Sequence, residues 1–297
     1  MNSAMTTDVT PSTAADLPLV HTLISHARYV HGVFAEEDLA EQCVTGQLLL
    51  GRHSPGELWG VALLQHEPRL WSLPAGAVAR SYVRAVALRR LPPPYEAVPR
   101  LLAPLRTGHE LRRLIAYGGE SWYNAGLQAS DCGETERVHF YECRELRHYE
   151  LPALRDAEGV SIRPVTAADI PALTRLDALV FSELWHCSEE TLVQMLMTSR
   201  MQVAECAGVL VGYNCIRLFA RREAQLARMA VAPAWQGRGL GRALLVDALN
   251  AAVLGGSRTV SLNTQADNHR ARQLYARYGF HFTGQQMTVF TRLDGGA

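Results

Sequence analysis

Gln236-Gly237-Arg238-Gly239-Leu240-Gly241 runs directly into Arg242-Ala243-Leu244-Leu245-Val246-Asp247-Ala248-Leu249. Ahead of it, Gln225–Val231 reads as a strand whose end is marked by Pro233. Behind it, Leu240, Leu244, Ala248 and Ala251–Ala252 recur at helical spacing until Gly255-Gly256 stops the pattern. The order is strand, glycine-rich loop, helix. The first N–H groups of a helix lack internal partners and carry the positive end of its dipole. Glycines let the backbone close around a diphosphate without Cβ clashes. Arg238 and Arg242 add charge, and residues 217–277 hold ten arginines against three acids. This stretch is built for a polyphosphorylated ligand.

Two common phosphate loops do not fit. A dinucleotide GxGxxG would need glycine where Arg242 stands, and a Walker loop needs a lysine. None of the 29 basic residues is a lysine.

Gln236-x-x-Gly239-x-Gly241 resembles the acyl-CoA signature [QR]-x-x-G-x-[GA] of the GNAT (GCN5-related N-acetyltransferase) superfamily. Downstream, Asn268-x-x-Ala271-x-x-Leu274-Tyr275-x-x-x-Gly279-Phe280 is similar to that family's second CoA-contacting helix at every position. A strand, Thr259–Asn263, separates the two motifs in the family order. The resemblance covers about Val160 to Leu293 and implies acetyl transfer from acetyl-CoA, without a metal, to an amine by direct attack in a ternary complex.

It also implies roles. Backbone groups of Met229 and Val231 would bind the pantetheine arm. The N–H groups of Gln236, Gly237, Arg238, Gly239, Leu240, Gly241 and Arg242 would hold the diphosphate. Asn268 would bond the pantetheine or hold the adjoining strand. Tyr275 would donate a proton to the departing thiolate. Relatives commonly carry a glutamate base on the strand before the loop, where this chain has Gln225 and Arg228. The base is therefore open among Glu183, His186, Glu189, Glu223 and water. Phe181 and Trp185 could line the acceptor pocket, or pack in the core.

The chain repeats itself. Thr13-Ala14-Ala15-Asp16-Leu17-Pro18 recurs as Thr166-Ala167-Ala168-Asp169-Ile170-Pro171, and each copy is a helix start with its own cap. Leu48–Leu50 leads to Gly60-Val61-Ala62-Leu63-Leu64 as Gln202–Ala204 leads to Gly212-Tyr213-Asn214-Cys215-Ile216. Late in each half, Val138–Tyr141 answers Met287–Phe290. The expected class is α/β (α+β): two GNAT-type domains, each a mixed, mostly antiparallel sheet flanked by helices. They divide as 1–152 and 160–297, with a polar linker near Arg155–Gly159. The first half reads Arg89-Arg90-Leu91-Pro92-Pro93-Pro94 where the loop should be, and proline has no N–H to offer. It is expected to be a degenerate copy without the CoA loop, supporting the catalytic half.

Composition sets outer limits. Net charge is zero, which argues against a nucleic-acid partner. No run nears the roughly 18 apolar residues that span a bilayer, and Met1–Pro11 reads as a loose polar tail. Six cysteines without CxxC spacing suggest reduced thiols and a cytoplasmic protein. His21, His26 and His31, five apart, share no helical face for a metal. The acceptor, a small molecule or a peptide N-terminus, is open, as is the choice of monomer or homodimer. A non-catalytic acyl-CoA sensor is the alternative.

Overall fold

The computed structural model describes residues 8–67, 78–107, 111–151 and 159–295. Within them the chain packs as two compact units, one holding the described residues up to 137 with 287–295, the other residues 138–286. The linker expected near Arg155–Gly159 lies outside the described residues, apart from Gly159.

The first unit runs β1 (Val9–Pro11), α1 (Leu17–Ser25), β2 (Tyr29–Gly32), α2 (Leu39–Val44), β3 (Leu48–Ser54), β4 (Glu57–Glu67), β5 (Ala79–Leu88), α3 (Pro94–Leu102), β6 (Arg112–Tyr117) and α4 (Ser121–Ala129), then enters β7 (Gly133–Cys143). The second continues with β8 (Val160–Pro164), α5 (Ile170–Val180), α6 (Glu189–Thr198), β9 (Arg200–Cys206), β10 (Val209–Phe219) and β11 (Glu223–Val231). After the loop come α7 (Leu240–Leu254), β12 (Thr259–Gln265), α8 (His269–Arg277) and β13 (His281–Asp294).

Sheet order is β1-β3-β4-β5-β6-β13 in the first unit and β7-β12-β11-β10-β9-β8 in the second. Each sheet is antiparallel except at one parallel pair, β5 with β6 and β11 with β12. The mixed, mostly antiparallel sheet with flanking helices is as expected. The sequence pattern also explains its two cores. Leu48, Leu50, Val61 and Leu63 turn to the face covered by α1 and α2, while Leu49, Ala62 and Leu64 turn to the face under α3 and α4. Strands buried on both faces read as continuous apolar runs. Both helix starts close as capping boxes: Thr13 N–H and Thr166 N–H donate to Asp16 and Asp169 at 2.9 and 2.8 Å.

Two expectations need correction. Val9–Pro11 is not a loose tail but β1, paired with Leu49–Gly51. The units also do not follow a contiguous division at 152. Val138–Cys143 of β7 pairs with β12, and Val289–Asp294 of β13 pairs with β6, so each sheet is closed by a strand from the other half of the sequence. β6 and β12 each have a parallel neighbour on one edge, and their other edge needs a cover. Arg292 fixes the closing strand of the first unit: it is buried, pairs with Asp294 at 2.6 Å, and donates to the carbonyls of Leu102 and Ser130 at the ends of α3 and α4.

Gly32, the last residue of β2, has φ +73°, and a Cβ there would stand 2.2 Å from the Arg84 carbonyl oxygen. Gly32→Ala should cost about 2 kcal/mol or more of unfolding free energy, read from the urea midpoint. An unshifted midpoint would show that β2 is not seated on β5.

Candidate active site

The central feature of the second unit is a fork. β10 stays paired with β11 as far as Gly212↔Val231, but β12 pairs β11 only at Glu223↔Thr259, Ala224↔Val260 and Gln225↔Ser261. From Leu226 onward that edge of β11 has no strand beside it among the described residues. Ala232 N–H donates to Val211 C=O across β10 at 2.9 Å. Strand alternation then turns the peptide groups of Met229 and Val231 the other way, into the gap. The Val231 carbonyl indeed accepts from Gln236 Nε2 at 3.2 Å on that side.

Past a 3-10 turn at Pro233–Trp235, Gly237 and Gly239 have φ of +88° and +89°, a left-handed conformation that glycine adopts without strain. Gly239 caps α7, and the first helical rung is Ala243 N–H to Gly239 C=O at 3.0 Å. The N–H groups of Leu240, Gly241 and Arg242 precede that rung and face out of the helix start. Gln236 is different, because its N–H is spent on the Pro233 carbonyl at 3.2 Å. Its side chain is a brace instead, taking a bond from Arg270 at 2.8 Å while donating to Val231. Arg238 lies over the Trp235 ring at 5.0 Å, and Arg242 Nε donates to Tyr278 Oη at 2.7 Å. Leu240 is core, so only its backbone is available. Arg270 was not singled out from the sequence; it was one of many arginines with no pattern to distinguish it.

α8 closes the same place. A Cβ on Gly241 would lie 3.7 and 3.8 Å from Val231 Cγ2 and Leu274 Cδ2, so loop, strand end and α8 converge there. Asn268 Oδ1 accepts from Ala271 N–H at 3.1 Å, which makes it the cap of α8. Tyr275 is buried in the cluster that Met229 packs against, with its ring 5.8 Å from that of Phe280. Burial pushes its phenol up to about 12, and its hydroxyl has no hydrogen bond among the described residues.

Residues 170–280 match the acetyltransferase (GNAT) family. N-alpha-acetyltransferase RimI of Mycobacterium tuberculosis is 34% identical over 145 residues, covering 47% of this chain and 89% of that relative. The chain belongs to the GNAT family. It is an acyltransferase by that membership, and the family match lies wholly within the second unit. Mycothiol acetyltransferase of Streptomyces coelicolor is 31% identical over 157 residues, 48% of this chain, which spans about half (50%) of that relative. Among solved structures, a tandem GNAT protein from the clavulanic acid biosynthesis pathway aligns with TM-score 0.59 and 16% identity over 97% of this chain and 99% of its own. A GCN5-related N-acetyltransferase from Sphaerobacter thermophilus gives 0.56 and 15% over 96% and 95%. At such identities these two speak for the fold alone.

Against the GNAT frame, the first unit is instructive. β5 runs beside β6 for Ala79–Val83 and then leaves it, as β11 leaves β12. Here β2 takes the vacated edge, pairing Tyr29↔Leu88, Val30↔Ala87, His31↔Val86 and Gly32↔Ala85, and Arg28 N–H donates to the Leu88 carbonyl at 2.8 Å. His31 is held in turn by Glu120 at 2.7 Å and stacks on Tyr123 at 3.9 Å between centroids. One copy's fork is filled by its own chain; the other's is open.

Of the base candidates, Glu183 is half-buried, His186 is buried, Glu189 is exposed in the first turn of α6, and Glu223 is exposed at the start of β11. Arg228, which carries no basic function, proves to be a clamp. Its guanidinium bonds both oxygens of the fully buried Asp177 at 2.6 and 2.8 Å, and donates to Tyr213 Oη at 2.9 Å and to the Trp185 carbonyl. It also lies 3.7 Å from the Phe181 ring centroid, and Cys187 N–H donates to Asp177 at 2.6 Å. Phe181 therefore lies against this guanidinium, and the clamp pins both ends of the 181–187 segment to β11. Breaking one half of a buried, bidentate pair typically costs about 3–5 kcal/mol, whereas replacing both halves by apolar groups costs far less. Arg228→Met should lose stability on that scale in urea unfolding, with much of it regained in Arg228→Met/Asp177→Leu. Additive losses would disprove the coupling.

Proposed function

We propose that the second unit transfers acetyl from acetyl-CoA to a primary amine in a ternary complex. What supports this is that an open strand edge and three outward helix-start N–H groups meet α8, the helix that carries the protonated Tyr275 phenol. In this reading the N–H groups of Gly237 to Arg242 grip the diphosphate, with Arg238 and Arg242 adding charge. Met229 and Val231 offer backbone groups to the pantetheine amides, and Asn268 holds α8 in place. The amine nitrogen attacks the thioester carbon, the C–S bond breaks, and Tyr275 gives its proton to the leaving sulfur. The amine proton leaves through water or one of Glu183, His186, Glu189 and Glu223. The first unit takes no acyl-CoA, because β2 fills its fork and the prolines at 92–94 supply no N–H.

The acceptor, a small amine or a polypeptide N-terminus, needs neither nucleic acid nor metal. Five of six cysteines are buried free thiols, which supports a reducing, cytoplasmic setting. No helix among the described residues is long and apolar enough to cross a membrane. A second reading, an acyl-CoA sensor without turnover, is favoured by Gln225 and Arg228 standing where relatives carry a carboxylate. Release of free CoA across a panel of amines and peptides separates the two: thiol formation means transfer, and tight binding without thiol means sensing.

Gly241 has room for a side chain, with nothing nearer than 3.7 Å to its Cβ position. An aspartate there suits a helix start yet repels a diphosphate. Gly241→Asp should keep its melting temperature and lose acetyl-CoA affinity by at least ~10-fold, or about 1.4 kcal/mol, by calorimetry. Unchanged affinity would remove the diphosphate from this loop.

Tyr275 supplies the pH test. Its pKa is raised from 10 to about 12, so the neutral form is favoured and the proton is retained across neutral and mildly alkaline solution. Tyr275→Phe should lower kcat by about 10²-fold or more, and by the same factor at pH 7 and pH 10. A deficit at pH 10 about half that at pH 7 would point to an ordinary tyrosine, half ionised at that pH, and away from this role.

A further inference from the structure

A groove of about 520 Å³ lies in the second unit between one face of α6 (Thr191, Gln194, Met195, Thr198) and the end of β10 from Arg217 to Phe219. Its place is informative. Arg217 stands directly across from Gln225, and Gln225 is the last residue of β11 still paired with β12. The groove thus begins one cross-strand step from the point where the strands part. Residues 191 to 198 span two helical turns, about 10 Å, the length of about three extended residues at ~3.3 Å each.

Its chemistry is one-sided. No acid lines it, and Arg217 Nε is buried without a hydrogen-bond partner among the described residues. Arg221 and Arg222 follow in the β10–β11 turn, and the Arg222 carbonyl accepts from Arg258 N–H at 2.7 Å, which brings the backbones of these arginines to the same end of β11, where the acid Glu223 stands across from Phe219. None of these four arginines is in an ion pair among the described residues. Exposed Phe219, 44% accessible, supplies an apolar wall beside the charge, while the Leu218 side chain turns to the other face of the sheet, against Gly255 at the end of α7. Other arginines of this unit are committed to acids: Arg200 to Asp247, Arg228 to Asp177, Arg163 to Asp169 and Glu205. A buried, unmatched guanidinium nitrogen in a groove calls for an acceptor from outside.

Resting on the acetyl-transfer reading above, we propose that this groove seats the leading residues of a polypeptide acceptor that carries a carboxylate side chain close behind its reacting N-terminus. Arg217 takes the carboxylate, Arg221 and Arg222 draw the segment in, and Met195 and Phe219 receive an apolar neighbour. A polycationic small amine meets the wrong field here.

The test uses the full chain with CoA and two hexapeptides, fluorescein-labelled at their C-termini. Both begin with a free alanine amine, and they differ only in aspartates or lysines at the second and third positions. In fluorescence anisotropy the acidic peptide should bind at least tenfold more tightly than its basic twin. Arg217→Gln should collapse that ratio, Arg217→Glu should invert it, and Phe219→Ala should weaken both peptides alike. Acetyl-CoA affinity should move less than twofold in each variant. Equal binding of the twins, a preference for the basic one, or a ratio that survives Arg217→Gln would overturn the proposal. Full displacement of the peptide by equimolar free aspartate would overturn its polypeptide part. The readout is peptide binding, so absence of acetyl-CoA binding or turnover in the unaltered protein would strike the transfer reading alone.

Discussion

The constraint on which this molecule turns is the unsatisfied peptide edge created wherever two parallel strands part. A backbone N–H or C=O that leaves a sheet must find another partner or water, and each copy contains such an edge. In the first, β2 pairs with Ala85–Leu88, and the need is met from within. In the second, the segment after the first helix is held elsewhere. Arg228 and Asp177 fasten Phe181, Trp185 and Cys187 by side chains and by carbonyl and N–H groups of the segment itself. It makes no strand pairing with β11, so the peptide groups of Met229 and the Val231 N–H stay available, with the Val231 carbonyl held by Gln236. The same stretch between the first two helices fills one fork and leaves the other open. The difference between a filled copy and an open copy is then a few interactions: a glycine able to press against Arg84 in one, a buried ion pair in the other.

The arginine content is better described by commitment than by number. Ten arginines in residues 217–277 suggested positive charge gathered around the phosphate loop. The structure divides them. Arg228 is neutralised in a buried pair, Arg272 is spent on Tyr141 Oη and the Ala266 carbonyl, and Arg270 braces Gln236. Arg217, Arg221, Arg222 and Arg258 lie at the β10–β11 turn and the start of β12, at the other end of β11 from the loop. Arg238, Arg242 and the bracing Arg270 flank it directly. The case for an anion at the loop thus rests on backbone donors and the helix dipole more than on side-chain charge.

What was legible from residues alone follows a physical rule. Local signals were readable: two glycines that need left-handed φ, a proline ending a strand, an asparagine capping α8, and two Thr-x-x-Asp boxes that recur at an interval of 153 residues. Non-local choices were not. Val138–Tyr141 and Met287–Phe290 were both readable as strands, but alternation of apolar residues fixes which face is buried and says nothing about which neighbour is paired. β2 was missed for the same reason, since Tyr29-Val30-His31-Gly32 is short and has only a glycine to mark its end. Arg228 stands where relatives carry a base and is no base itself, and nothing in the sequence shows that an aspartate 51 positions earlier pairs with it.

The exchange of closing strands bears on why a copy without an open fork persists. β12 carries the parallel partner of β11 and so defines one side of the fork. Its outer edge is covered by Val138–Cys143, residues that precede any contiguous boundary near 152. Tyr141 and Cys143 are buried in the cluster that contains Tyr275, and the Tyr141 hydroxyl accepts from Arg272 on α8 at 2.8 Å. A chain starting at residue 160 would strip β12 of that strand and α8 of that anchor, although it would keep both sequence motifs intact. The reciprocal holds for the first unit, whose Arg292 on β13 satisfies the carbonyl ends of α3 and α4. Neither half of the sequence holds a complete sheet, so each depends on the other for the strand that closes it.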